Sequence, residues 1–204
     1  MMYTLDSVIK ESIQPLLKTH GFKKKGLQWN RCRDYFIDVV TLQEAKHSSD
    51  DNIVFTLNLG IFVPSFFEAV WNKPPGGFVN EADCVVRVRL GDLIQDRPYG
   101  DALDKWWTVS GTVIEESTKD EIQEALKSKG VPFLDSFDNI QAIAEHLGQV
   151  KGWQSKNPLM VIYHALAEWK SGDRSSALQL LDHVKEKAWA SKVSAVAAMI
   201  RNAP

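Results

Sequence analysis

Little in this sequence announces a chemistry. Only two of its 204 residues are cysteine, Cys32 and Cys84, too few for a disulfide framework in a chain of this length. Both fall in strand-like stretches, where a free thiol behaves as a small hydrophobe, so both are expected as buried thiols. No apolar run approaches the roughly 20 residues of a membrane-spanning helix. The start, Met1-Met2-Tyr3-Thr4-Leu5-Asp6, lacks the basic-then-apolar pattern of a secretory leader, and the expected location is the cytoplasm. Charge of one sign is missing too. Lys and Arg number 24 against 26 Asp and Glu, a net charge of −2, so no global field draws in DNA, RNA or acidic lipid. Nucleic-acid and membrane partners are set aside on that ground. Gly-x-Ser-x-Gly, P-loop, His-Glu-x-x-His and Cys-x-x-Cys signatures are also absent, which argues against an enzyme and names no cofactor or metal.

What is present is a globular composition with apolar side chains at 44%, enough to build a core without long disorder. Seven tryptophans supply large apolar area, and such side chains also favour binding surfaces.

Leu5, Val8, Ile9, Ser12, Ile13, Leu16 and Leu17 recur at helical spacing, with Thr4 available as a cap. Pro15 is interior to that helix and predicts a bend. Gly21 suits the left-handed residue that ends it, with Phe22 folding back on Leu17. Period-two alternation then marks strands near 27–31, 35–42, 53–63 and 84–90. Ile53, Phe55, Leu57, Leu59 and Ile61 form one apolar face, and Pro64 can open a helix carrying Phe66, Phe67, Val70 and Trp71. Residues 96–101 read as a polar loop. From residue 117 the period becomes helical. Thr118 and Glu121 form a capping box, Gly130 is expected to close that helix, and Val131-Pro132-Phe133-Leu134 reads as an extended link. Further helices follow around 137–147, 157–166, 177–184 and 193–200. Ala165–Ala188, with its Gly172-Asp173 break, is similar to a tetratricopeptide-type helical hairpin. The expected fold class is α+β: an antiparallel sheet of about four strands packed on an N-terminal helix, followed by a small all-α helical-hairpin domain. The expected domains are 1–134 and 135–204.

One set of short motifs has a familiar order. Gly21-Phe22-Lys23-Lys24-Lys25-Gly26, Trp29 with Arg31, Asn58-Leu59-Gly60, Arg87-Val88-Arg89-Leu90-Gly91, Trp106-Trp107 and Pro132-Phe133-Leu134 together resemble the bacterial domain-of-unknown-function family catalogued as 4304, over about residues 5–134. The resemblance implies a domain boundary near 134 and, because the family has no established activity, no mechanism. By analogy of type, small α+β families of this kind include immunity and toxin-neutralising proteins.

The strongest site candidate is the polar face of the sheet. Arg87 and Arg89 are two apart on one strand and project together. Asn58 and Thr56 lie on the less apolar face of another strand. If the registers align, two guanidiniums and an amide converge on a carboxylate- or phosphate-sized anion, with Trp106 and Trp107 as aromatic walls. The competing reading is a salt-bridged solvent face and core tryptophans. Weaker candidates are Cys32 between Arg31 and Arg33, His164 with Glu168 at metal-compatible spacing but with no third ligand, and Lys23-Lys24-Lys25 as a phosphate contact or a charged strand edge. The function these readings favour is a non-enzymatic module that binds another protein, with an immunity-like role as one version. The alternative is an enzyme or sensor for a small anion held by Arg87, Arg89 and Asn58.

Overall fold

The computed structural model describes residues 5–46, 48–49, 52–95, 105–110, 115–151 and 156–203. Thr4 and the polar loop at 96–101 lie outside them. In chain order the helices and strands are α1 (Leu5–Val8), a π-helical turn (Ile9–Ile13), α2 (Gln14–Thr19), β1 (Lys23–Lys25), β2 (Gln28–Cys32), β3 (Ile37–Glu44), β4 (Asn52–Phe62) and α3 (Pro64–Trp71). They continue with β5 (Val86–Arg89), α4 (Leu90–Ile94), β6 (Trp107–Ser110), α5 (Glu116–Ala125), a second π turn (Leu126–Gly130), α6 (Val131–Asp135), α7 (Ile140–Gln149), α8 (Pro158–Lys170), α9 (Arg174–Asp182) and α10 (Ala190–Asn202). The chain divides into two compact units, Met1–Phe62 with Phe78–Ser136, and Val63–Gly77 with Phe137–Pro204. The first holds the whole sheet. The second is helical and takes in α3 as well as α7 to α10.

The sheet is antiparallel, in the order β1-β2-β3-β4-β5, with β6 also paired to β4. The fold class is therefore α+β, with six strands among the described residues. β1, of three residues, is too short to show a period of two, and β6, of four, alternates over only two buried positions, Trp107 and Val109. β4 is the centre, and along it only Asn52 is exposed. Its two faces are covered differently. Phe55, Leu57, Leu59 and Ile61 face the helical layer, where a Cβ on Gly130 would lie 3.2 Å from Leu90 Cδ1 and 3.5 Å from Leu59 Cδ1. On the other face the covering segment comes closer still: a Cβ on Gly60 would lie 2.6 Å from Cys84 Sγ.

Pro15 does not simply bend its helix. The turn before it widens, so that the Gln14 N–H donates to the carbonyl of Ile9, five residues back. Pro15 has no N–H for the Glu11 carbonyl, and Gln123 Nε2 of α5 donates there instead, at 3.1 Å. The first helix ends as expected. Gly21 takes φ +83°, and Gly21 and Phe22 donate to the carbonyls of Lys18 and Leu17, which is a Schellman closure.

The same device recurs around Pro132 and corrects two expectations. The Val131 N–H donates to the Leu126 carbonyl, and the chain continues into α6. Val131–Leu134 is thus helix, not an extended link. Gly130 is not a cap either: its φ is −66°, and its missing side chain serves close packing. Thr118 likewise lies inside α5, whose N-cap is Glu115.

In the helical unit, Asn157 caps α8 by accepting from the Leu159 N–H, and Pro158 follows at the first helical position. The break before α9 is made by Gly172 at φ +103° and by Asp173, which accepts from the Ser176 N–H. That backbone bond holds the Asp173 carboxyl below its ordinary value. Ile162, Tyr163, Leu166, Ala177 and Leu181 are buried, and the ring of Phe66 from α3 stacks 6.3 Å from Tyr163. Among the described residues, no helix is long and apolar enough to cross a membrane.

Candidate functional site

The sheet register brings the anticipated polar groups together. Asn58 on β4 lies opposite Arg89 on β5, and Gly60 lies opposite Arg87, so Asn58, Arg87 and Arg89 share one face on neighbouring strands. Trp106 joins them, its ring 5.5 Å from the Arg89 guanidinium. Trp107 does not. It faces the helical layer, 6.1 Å from Phe55, with its Nε1 donating to Glu121 at 3.1 Å.

The converging groups are committed internally. Arg87 meets Glu81 in a fork of two hydrogen bonds, at 2.6 and 3.1 Å. Asn58 Nδ2 donates to Gln43 Oε1 at 2.8 Å. Thr56 donates to the Lys105 carbonyl, and Asn30 pairs with both backbone groups of Val79. This face is a covered polar layer in which these groups hold one another, while the buried Thr41 Oγ1, opposite Asn58, has no partner among the described residues.

A different cluster lies in the helical unit, and sequence reasoning missed it. Trp71, in the last turn of α3, stands 6.2 Å from Phe67 and 6.2 Å edge-on from Trp189, which precedes α10. All three rings are half-buried. Lys192 places its ammonium 3.9 Å over the Trp71 ring and donates to the Val70 carbonyl at 3.1 Å, where a cation suits the helix C-terminus. Lys73 lies 5.8 Å over Phe67. The side chains therefore form a ledge of fixed aromatic rings edged by cations. The only signal in the sequence was the tryptophan count, because α3 and α10 are far apart in the chain.

Residues 13–136 match the family described as Domain of unknown function (DUF4304). The chain belongs to this family. No curated protein and no solved structure matches it. The DUF4304 match ends where the sheet unit ends, and a buried ion cluster marks that end. Asp38 of β3, fully buried, receives Arg31 Nε at 2.7 Å and Arg33 at 2.6 Å. Arg31 also reaches Asp135, and Arg33 donates to the Leu134 carbonyl. Burial pushes the Asp38 carboxyl above its ordinary value against the pull of both guanidiniums. Burial opposes charge on Arg31, but Asp38 and Asp135 outweigh it and raise its pKa.

The remaining candidates resolve individually. Cys32 is exposed rather than buried, because it sits at the end of β2, and the arginines beside it in sequence are turned to Asp38. Cys84 is buried under Gly60, and burial pushes its thiol well above the ordinary value. Lys23-Lys24-Lys25 form the edge strand β1, wholly exposed. His164 Nε2 pairs with Glu168 Oε1 at 3.0 Å, and among the described residues no group of three metal-ligating side chains exists.

Proposed function

We propose that this chain is a protein-binding module whose docking surface is the Phe67–Trp71–Trp189 ledge and whose partner presents acidic groups. The observation that carries this reading is Lys192 over Trp71, which fixes an aromatic anchor and sets a positive charge beside it. Half-buried aromatic side chains of this kind dominate interface energetics when a partner covers them. The charge of the unit agrees: Val63–Gly77 with Phe137–Pro204 carries nine Lys and Arg against seven Asp and Glu. The small-anion alternative on the sheet face draws less support, because an anion there would have to displace Glu81 from Arg87.

The test is affinity capture with the full chain, then measurement of the isolated partner against wild type and the Trp71→Ala, Trp189→Ala double variant. Loss of at least tenfold in affinity, with unchanged circular dichroism and with weakening at higher salt, supports the ledge. A partner that binds the double variant equally well, or whose binding ignores salt, overturns it.

A further inference from the structure

We propose that the helical unit holds a second site, for a single-ring molecule bearing one hydroxyl group, a ligand of the phenol class. Between α7, α8 and α9 lies a cavity of about 170 Å³. An apolar protein cavity of roughly 150 Å³ takes up benzene, so this one fits a six-membered ring with one or two small substituents. Leu147 and Val150 from the end of α7, Met160 from the start of α8 and Leu180 from α9 supply an apolar lining. The Met160 thioether suits the edge of an aromatic ring.

Among the described residues that line it, His164 is the one titratable side chain. Its Nε2 is held by Glu168 Oε1 at 3.0 Å. A carboxylate beside one imidazole nitrogen takes that nitrogen's N–H and leaves the other as an acceptor. Nδ1 of His164 makes no hydrogen bond among the described residues. Gly148 lies against the Nε2–Cε1 edge of the ring, where a Cβ would stand 3.8 and 3.9 Å away. An apolar body would satisfy the walls, and a single O–H donor reaching Nδ1 would satisfy the imidazole. A carboxylate or phosphate ligand would bring a second negative charge toward Glu168 inside an apolar lining, which is costly. This site is separate from the aromatic ledge and stands or falls without it.

The experiment uses p-cresol and toluene, which differ by the hydroxyl, on the full chain. p-Cresol at millimolar concentration is expected to raise Tm, to shift the His164 imidazole resonances in nitrogen-edited spectra, and to bind at least tenfold more tightly than toluene. His164→Leu brings the two affinities together, and Leu180→Trp, which fills the cavity, removes both. Failure of p-cresol to bind the folded wild-type chain overturns the proposal. So does equal affinity for the two molecules, or p-cresol binding that survives Leu180→Trp. The wild-type comparison is decisive by itself if either variant does not fold.

Discussion

The two units differ in how far their cations are paired with carboxylates. In the sheet unit, with fifteen Lys and Arg against nineteen Asp and Glu, cations are tied to carboxylates of the same unit: Arg31 and Arg33 to Asp38, Arg87 to Glu81, Lys105 to Glu121, Lys119 to Glu11. Cations of that unit also lie over rings, Lys24 on Trp29 and Lys105 on Trp107 among them, but in the helical unit the ring-packed lysines, Lys73 on Phe67, Lys170 on Trp169 and Lys192 on Trp71, hold no carboxylate among the described residues. A guanidinium that already holds a carboxylate fixes a fold. An ammonium over a half-buried ring keeps part of its field for a partner. On the sheet face the difference is visible at Arg87, whose guanidinium already holds the Glu81 carboxylate.

The sharpest way to break that comparison is to empty the buried cluster. Asp38→Ala leaves two guanidiniums facing a vacated, fully buried position, and the expected loss of stability is about 3–5 kcal/mol in urea unfolding. Asp135→Ala removes a half-exposed partner of Arg31 and is expected to cost under about 1 kcal/mol. Equal effects from the two substitutions would show that burial does not set the worth of these pairs. Next in size is Gly60→Ala. The new methyl would overlap Cys84 Sγ and Cβ at 2.6 and 2.7 Å, at an expected cost of about 1–3 kcal/mol. Gly77→Ala, with nothing within 4 Å of its Cβ position, is expected to stay within about 0.5 kcal/mol of wild type.

The helical unit has its own sensitivity, to acid. Burial lowers His146 from 6.5 to about 4, and the ring of Phe137 stands edge-on at 5.3 Å. A folded-state pKa below the unfolded one means that the unfolded chain binds the proton first. The stabilisation is therefore complete above pH 6.5 and fades as pH falls from 6.5 toward 4. Because the side chain is not fully buried, about 1–2 kcal/mol of loss between pH 7 and 5 is expected. His146→Leu should remove that slope. Parallel pH dependence in wild type and variant, measured by urea unfolding, would assign the acid sensitivity elsewhere.

What was legible in the sequence follows element length and the reach of each pattern. β4 spans enough residues for alternation to identify both its faces, and Pro64 and Asn157-Pro158 marked helix starts by local chemistry alone. The face of Trp107 was not legible, because β6 has too few residues to establish a phase. The shared face of Asn58 and Arg89 was legible as a possibility, since it needed only two strands to be neighbours in register. That Glu81 occupies Arg87 depends on a turn of helix with no sequence signature. The ledge was hidden for a different reason: Trp71 and Trp189 meet only when α3 and α10 are packed, and no local period encodes a contact of that separation.

A smaller effect than those of Asp38, Gly60 and His146 concerns how prolines are tolerated in the sheet unit. In an unbroken helix the N–H of residue 15 would serve the carbonyl of residue 11. With Pro15 there, Gln123 donates to that carbonyl from a neighbouring helix. Gln123→Leu is expected to cost about 0.5–1 kcal/mol, the net worth of one solvent-accessible hydrogen bond. Pro15→Ala restores a backbone donor at that place, so in its presence the same Gln123→Leu change should cost almost nothing. A double-mutant cycle read by urea unfolding gives the coupling directly. Strict additivity of the two changes would mean that the Gln123 amide is incidental and that the widened turn alone accommodates the proline.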